Sequence, residues 1–196
     1  MELANLDLNK VYTYADYYKW KFDERVELIK GYIFKMSPGP NRLHQEISGG
    51  ISFQLQKFLE RSPCKVYMAP FDVRFPRKSK ADKDIITVLQ PDICVVRDRS
   101  KLDDRGCIGA PDIVVEVLSP SNNKKELKNK YEIYEEAGVK EYWVVWPYEQ
   151  TMIVYTLTDG KFVSSPVISG GDILTSSVLP GFSLNISELF QDNDTE

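Results

Sequence analysis

The stretch Pro111-Asp112-Ile113-Val114-Val115-Glu116-Val117-Leu118-Ser119-Pro120 constrains this chain more than any other. It is apolar nearly throughout and bounded by proline, the pattern of a buried strand. Successive strand residues alternate faces, so Asp112, Val114, Glu116 and Leu118 point one way and Ile113, Val115 and Val117 the other. A carboxylate in the middle of such a strand is costly to bury unless a cation or a metal ion compensates it. Whatever this chain folds into has to account for Glu116.

The 196 residues fit one domain, 1–196, with enough chain for a real core. A composition that is 42% hydrophobic and 28% charged is that of a folded chain rather than a disordered one. Cys64, Cys94 and Cys107 make no paired spacing and read as free thiols of a reducing compartment. The start is polar and acidic, without a signal-peptide pattern, and no apolar run reaches the roughly 18 residues of a membrane span. The expectation is a cytoplasmic protein. Its net charge of -4 argues against nucleic-acid binding by bulk charge, while Lys78, Lys80, Lys83, Lys124, Lys125, Lys128 and Lys130 leave room for a local basic surface.

Along the chain, Thr13–Trp20 reads as a short helix capped by Thr13, with Asp16 at the capping-box position. Val26–Met36 reads as strand with a possible turn at Lys30-Gly31, and Ser37–Pro40 as a break. Arg42–Leu59 is helical, with Ile47, Ile51, Leu55 and Phe58 on one face and His44, the sole histidine, on the first turn. Val66–Phe75 reads as one strand and Arg77–Ile85 as a loop. Ile86–Val96 is a second strand region whose pairing is expected to begin after Pro91. Asp98–Gly109 reads as a polar connection. A helix is expected from Ser121-Asn122-Asn123 to about Ala137, stopped by Gly138. Strands Glu141–Trp146 and Met152–Leu157, a hairpin turn at Thr158–Lys161, a turn at Gly170-Gly171, a short helix from Asn185 and a frayed end at Gln191–Glu196 complete the reading. This order predicts an α/β (α+β) fold, a mixed β-sheet flanked by helices with additional antiparallel hairpins.

Two strands open alike, with Pro91-Asp92-Ile93 and Pro111-Asp112-Ile113. If they are neighbours, Asp92 and Glu116 converge. Two carboxylates with a strand carbonyl, such as that of Val117, suit a hard divalent ion like Mg²⁺ (or Mn²⁺) that keeps several waters. Such an ion activates water and neutralises a phosphate oxygen. The simplest nuclease site of this kind places a lysine two residues after the glutamate, but that position is Leu118. Lys130, on the following helix beside Tyr131 and one turn from Leu127 and Tyr134, is the candidate to replace it.

The pattern resembles the Uma-type restriction endonuclease family of the PD-(D/E)XK nuclease-like superfamily, over almost the whole chain. The residues that carry the resemblance are Glu27–Gly31, Met36-Ser37-Pro38, His44, Pro91-Asp92, Pro111–Ser121, Lys130 with Tyr134, and Gly138–Val145. It implies a restriction-endonuclease-like core, a divalent metal, DNA as substrate, a homodimer, and a lysine displaced to the helix at Lys130. Two positions depart from it: Glu126 replaces the usual Asp on the helix, and Trp146 stands where an Asp commonly follows the strand.

Each candidate also has a plainer reading. Asp92 and Asp112 fit strand starts that bond nearby amides. Glu116 fits a buried ion pair. Glu126 and Lys130, four apart, fit a surface helix pair. His44 fits a solvated helix start, against a phosphate or water contact at a helix N-terminus. Glu27 fits a solvent-facing strand position, against an added metal or water contact. The absence of a glycine-rich phosphate loop, of GxSxG and of a second histidine leaves other chemistries little support. The sequence thus points to a metal-dependent DNA endonuclease with Asp92, Glu116 and Lys130 at its centre and Glu27, His44 and Asp112 as accessories. The competing reading is a non-catalytic dimeric nucleic-acid-binding or regulatory module that keeps the nuclease fold.

Overall fold

The computed structural model describes residues 3, 6–21, 23–36, 39–120 and 124–191. The chain runs α1 (Tyr14–Tyr17), β1 (Val26–Ile29), β2 (Tyr32–Lys35), α2 (Arg42–Phe58), β3 (Lys65–Met68), β4 (Val73–Arg74), β5 (Val88–Leu89) and β6 (Ile93–Val96). It continues through β7 (Leu102–Asp103), β8 (Gly106–Ile108), β9 (Ile113–Val117), α3 (Lys124–Ala137), β10 (Glu141–Trp146) and β11 (Thr151–Thr158). Then come β12 (Lys161–Ser164), β13 (Ile173–Thr175), β14 (Ser183–Asn185) and α4 (Ile186–Phe190).

Two mixed six-stranded sheets and a small hairpin result. The central sheet has the order β12-β11-β10-β9-β6-β3, and the second sheet β2-β1-β5-β4-β8-β7. In the central sheet β9 lies parallel to β10 and antiparallel to β6. The parallel pair needs a crossover, and α3 supplies it. All five residues of β9 are buried, as a strand covered on both faces must be.

The alternation read from the sequence sorts the two faces. Ile113, Val115 and Val117 pack with Ile47, Ile51 and Leu55 of α2, with Trp143 and Val145 of β10, and with Leu184 and Ile186 near the end of the chain. Val114 and Leu118 face the other way. They pack with Ile133 and Tyr134 of α3 and with Ile29, Val73, Phe75 and Leu89 of the second sheet. The second sheet is therefore stacked over the same face that carries Glu116. A third, smaller core of Tyr12, Tyr14, Leu28, Ile85 and Val88 closes its outer side with α1.

Local chemistry explains several elements. Thr13 N and Oγ1 both donate to Asp16 Oδ2, at 3.0 and 2.8 Å, so Asp16 serves the box in place of Glu. The helix it starts is shorter than expected, ending at Tyr17. Lys30 and Gly31 adopt φ of 53° and 87°, the paired positive values of a two-residue hairpin turn. A Cβ on Gly31 would also run into the Val11 side chain, so space and backbone conformation both favour glycine there. Asn41 caps α2 by accepting from His44 N at 2.9 Å, and Asn185 caps α4.

The structure corrects the sequence reading in four places. Val66–Phe75 is not one strand: β3 belongs to the central sheet and β4 to the second, separated by a loop with Pro70, which has no N–H to give a ladder. The segment before Pro91 is paired after all, as β5, but in the second sheet. Asp98–Gly109 contains a hairpin, β7–β8, and Ile173–Asn185 contains another, β13–β14. The proposed helix start at Ser121–Asn123, part of the Ser37–Pro40 break and the end from 192 lie outside the described residues. The three cysteines are free and buried. Among the described residues no helix is long and apolar enough to cross a membrane.

Candidate active site

Four separate elements deliver side chains to the Glu116 face. The β6–β9 register pairs Ile93 with Val115, so one rung further Asp92 stands opposite Glu116. Asp92 Oδ2 accepts from Val117 N at 2.8 Å, which ties the start of β6 to the end of β9. On α3, Lys130 and Tyr134 are four residues apart and share a face. Lys130 Nζ lies 3.0 Å from both Oε1 and Oε2 of Glu116, and Tyr134 Oη donates to Oε1 at 2.6 Å. The second sheet brings Glu27, whose Oε1 is 3.4 Å from Lys130 Nζ and accepts from Gln90 N at 2.8 Å. The first turn of α2 brings His44, with Nε2 3.3 Å from Asp92 Oδ2.

Burial sets the electrostatics. Glu27, Glu116 and Lys130 are 2, 6 and 4% exposed. Burial pushes the Glu116 carboxyl up to about 7, with Asp92 and Glu27 adding to the rise, while Lys130 and Tyr134 oppose it. Burial also works against the Lys130 charge, but Glu116 and Glu27 outweigh it and hold the ammonium well above its ordinary range. Tyr134 is pushed far up by burial and the neighbouring Glu116 charge, so it stays a hydroxyl donor. For His44, burial is outweighed by its bond to Asp92 and by the charges of Asp92 and Glu116, and its pKa is raised.

These groups open onto a cleft of about 550 Å³. Asp92, Glu116, Val117, Lys130 and His44 line it, with Arg25 and Gln90 on one wall and Met68–Pro70 on another. Two other depressions, of about 440 and 490 Å³, lack this convergence of titratable groups.

The structure gathers five of the six residues singled out in the sequence: Asp92, Glu116, Lys130, His44 and Glu27. Glu27 does not face solvent. Lys130 does not merely flank the buried face of α3 but lies within it, while Tyr131 is the partly covered residue, edge-on to Tyr155 and Phe162. Asp112 is not brought to the cluster. It sits at the opposite end of β9, where it accepts from Arg97 N at 2.8 Å and pairs with Lys140 Nζ at 2.7 Å. That is the plainer strand-start role. Leu118 is packed in the core, so the position after Glu116 where a simple site carries lysine is filled by apolar contact. Glu126, read as structural, lines the cleft. Trp146 packs partly buried against the core under α3 and is not among the residues that line the cleft.

Two participants are not among the candidate site residues of the sequence. Tyr134 carries the family resemblance together with Lys130 but has no site role there; its spacing of four from Lys130 is the signal that both reach one carboxylate. Gln90 gave no signal in the sequence, because its role depends on which sheet β5 joins.

The donor chemistry fits a divalent cation. Asp92 Oδ1 accepts no hydrogen bond among the described residues, and Glu116 Oε2 accepts only from Lys130, so each carboxylate keeps lone-pair capacity toward the cleft. Hard oxygen ligands of this kind suit Mg²⁺ or Mn²⁺. Among the described residues no three His, Cys, Asp or Glu side chains form a metal cage, so a divalent ion here would rest on these two carboxylates.

With this geometry in view, the comparisons place the chain. Residues 14–187 match the Uma2 family, described as "Putative restriction endonuclease", and the chain belongs to that family. A crystal structure from Anabaena variabilis, described as "a putative nuclease belonging to DUF820", shares the fold. It has a TM-score of 0.71 at 22% identity, with 91% of this chain and 97% of that one covered. No curated protein matches.

Proposed function

We propose that this chain is a metal-dependent DNA endonuclease that hydrolyses phosphodiester bonds in the cleft between its two sheets. The observation that carries the reading is Lys130 Nζ at 3.0 Å from both oxygens of Glu116, with Asp92 on the adjacent rung and all three lining one cleft. The family description supports a nuclease acting on DNA.

Asp92 and Glu116, with the Val117 carbonyl, would hold Mg²⁺ or Mn²⁺. When bound, such an ion supplies a water of lowered pKa and charge to neutralise a phosphate oxygen. Lys130 contributes a fixed positive charge. Its Nζ donates to both Glu116 oxygens and lies 3.4 Å from Glu27 Oε1, so it reaches a water or phosphate oxygen most readily by loosening a contact. Tyr134 and Glu27 are positioning residues that fix the Glu116–Lys130 pair. His44 faces Asp92 with Nε2 3.3 Å from Oδ2 and flanks that carboxylate. Two copies would suit cleavage of both strands, and size-exclusion chromatography with light scattering measures that directly.

Plasmid cleavage with Mg²⁺ or Mn²⁺, comparing the native protein with Glu116→Ala and Lys130→Ala, tests the site. Cleavage by the native protein alone is expected; equal cleavage by all three would identify a contaminant. One observation favours the second reading, a binding module without catalysis: both Glu116 oxygens are already engaged by Lys130. Gel-shift binding with no divalent-ion uptake by calorimetry would decide for it.

A further inference from the structure

Arg25 stands apart from the groups so far assigned. It is exposed at the edge of β1 and lines the same cleft as Asp92 and Glu116. Its guanidinium is held by Gln90 Oε1, which accepts from Nε at 3.1 Å and from Nη2 at 2.7 Å. The orientation of the Gln90 amide is itself fixed, because its Nε2 donates to Asp72 Oδ1 at 2.9 Å and to Tyr17 Oη at 3.0 Å. Gln90 N also donates to Glu27, the carboxylate that faces Lys130. One residue therefore sets both the cation on the cleft wall and the back of the Glu116–Lys130 pair.

The charge balance of the cleft gives this clamp a purpose. Asp92, Glu116 and Glu126 line it, so a phosphodiester approaches an acidic hollow. Lys130 is committed to Glu116 and Glu27. Among the described lining residues Arg25 is the remaining strong cation. Two of its five N–H donors go to Gln90, which leaves three for an anion. A guanidinium with its plane already fixed loses less freedom on forming paired bonds to phosphate than a mobile lysine does.

We infer that Arg25, positioned by Gln90, is a phosphate-binding residue of the cleft and grips the nucleic-acid backbone beside the bond to be cut. This rests on the endonuclease reading above and adds the residue that anchors its substrate. Neither partner touches the proposed metal ligands.

The test is fluorescence anisotropy of a short labelled DNA duplex bound to the native chain, Arg25→Ala and Arg25→Lys, across a salt series. It is run in EDTA and again with Ca²⁺. Loss of Arg25 is expected to weaken binding about tenfold and to lower the salt slope by about one, the signature of one lost phosphate contact. Arg25→Lys should recover the slope but not the affinity, because a point charge lacks the planar fork. Binding by Arg25→Ala equal to native in affinity and slope would overturn the inference while leaving the nuclease reading intact. Full recovery by Lys would overturn the role given to Gln90. A native chain that binds no duplex under either condition would overturn both readings at once.

Discussion

Two glutamates are buried on adjacent strands of the central sheet, and they are satisfied in opposite ways. Glu141, at the start of β10, is 1% exposed and among the described residues meets neutral donors alone. Its Oε1 accepts from Ser177 N and Oγ, both at 2.6 Å, and from Val178 N at 3.3 Å. Its Oε2 accepts from Trp143 Nε1 at 2.9 Å and Ser176 Oγ at 2.8 Å. Glu116, at the other end of β9, takes a tyrosine hydroxyl and a lysine ammonium and borders a cleft. A carboxylate whose lone pairs are spent on fixed neutral donors ties down a segment, here the chain leading to β14. A carboxylate balanced by a buried ammonium beside open space keeps capacity for a ligand. Burial alone does not separate the two cases; the kind of partner does.

The largest effect should come from removing the cation. Lys130→Ala leaves Glu116 and Glu27 buried without a positive partner, and should cost about 3 kcal/mol or more in urea unfolding at pH 8 as well as abolish cleavage. A loss under about 1 kcal/mol would show the pair to be solvated in solution.

A crossed pair of substitutions separates the two glutamates. Glu116→Gln should lower cleavage by at least about a hundredfold yet change stability by under about 1 kcal/mol. Its ionised form is held against burial, and Glu27 still balances Lys130. Glu141→Gln should do the reverse. It turns an amide N–H₂ toward Trp143 Nε1 and should cost about 2 kcal/mol, with cleavage retained where the protein is folded. Equal losses of stability in both would erase the distinction drawn between them.

Metal should separate the two glutamates again. Mg²⁺ at a hundred times its dissociation constant should stabilise the native protein by about 2.7 kcal/mol, and Glu141→Gln equally. Asp92→Asn and Glu116→Gln should show no such shift in thermal melts.

The pH dependence is smaller and has a definite sign. The folded value of Glu116, about 7, lies above the 4.5 of an ordinary glutamate. Between them the folded protein keeps a proton that the unfolded chain has released. On account of this group, metal-free stability falls as pH rises through that window, and Glu116→Gln flattens the fall. Cleavage moves the other way with pH, because Glu116 has to ionise before it can hold a cation. His44, the sole histidine, reports the same site by NMR. Its pKa should lie above the usual value and drop in Asp92→Asn, because the Asp92 bond and charge hold it up against burial.

Much of this was legible in the order of residues. Alternation along Ile113–Val117 assigned Glu116 to one face, and the repeated Pro-Asp-Ile suggested that Asp92 would meet it. Helix and strand periodicity placed α2, α3, β10 and β11 because each has enough residues for its period to stand out. Short elements did not carry that much signal: β4, β5, β7 and β13 have two or three residues each, and pairing rather than pattern defines them. The two carboxylates of β9 show the same limit within the site. Both looked alike in sequence and both are buried, and only the neighbours at each end of the strand made Asp112 a structural anchor and Glu116 a centre.

What the sequence determined by itself is therefore the face each residue of β9 takes, the helix that follows it, and a buried acid in need of a cation. Those follow from backbone geometry and the cost of desolvating charge, which act over a few residues. The tertiary structure decided the rest. Splitting Val66–Phe75 and Ile86–Val96 between two sheets brings Glu27, with Gln90 behind it, to the Lys130 carried by α3. Contacts among residues so far apart in the chain depend on where whole sheets pack, and no local period records that.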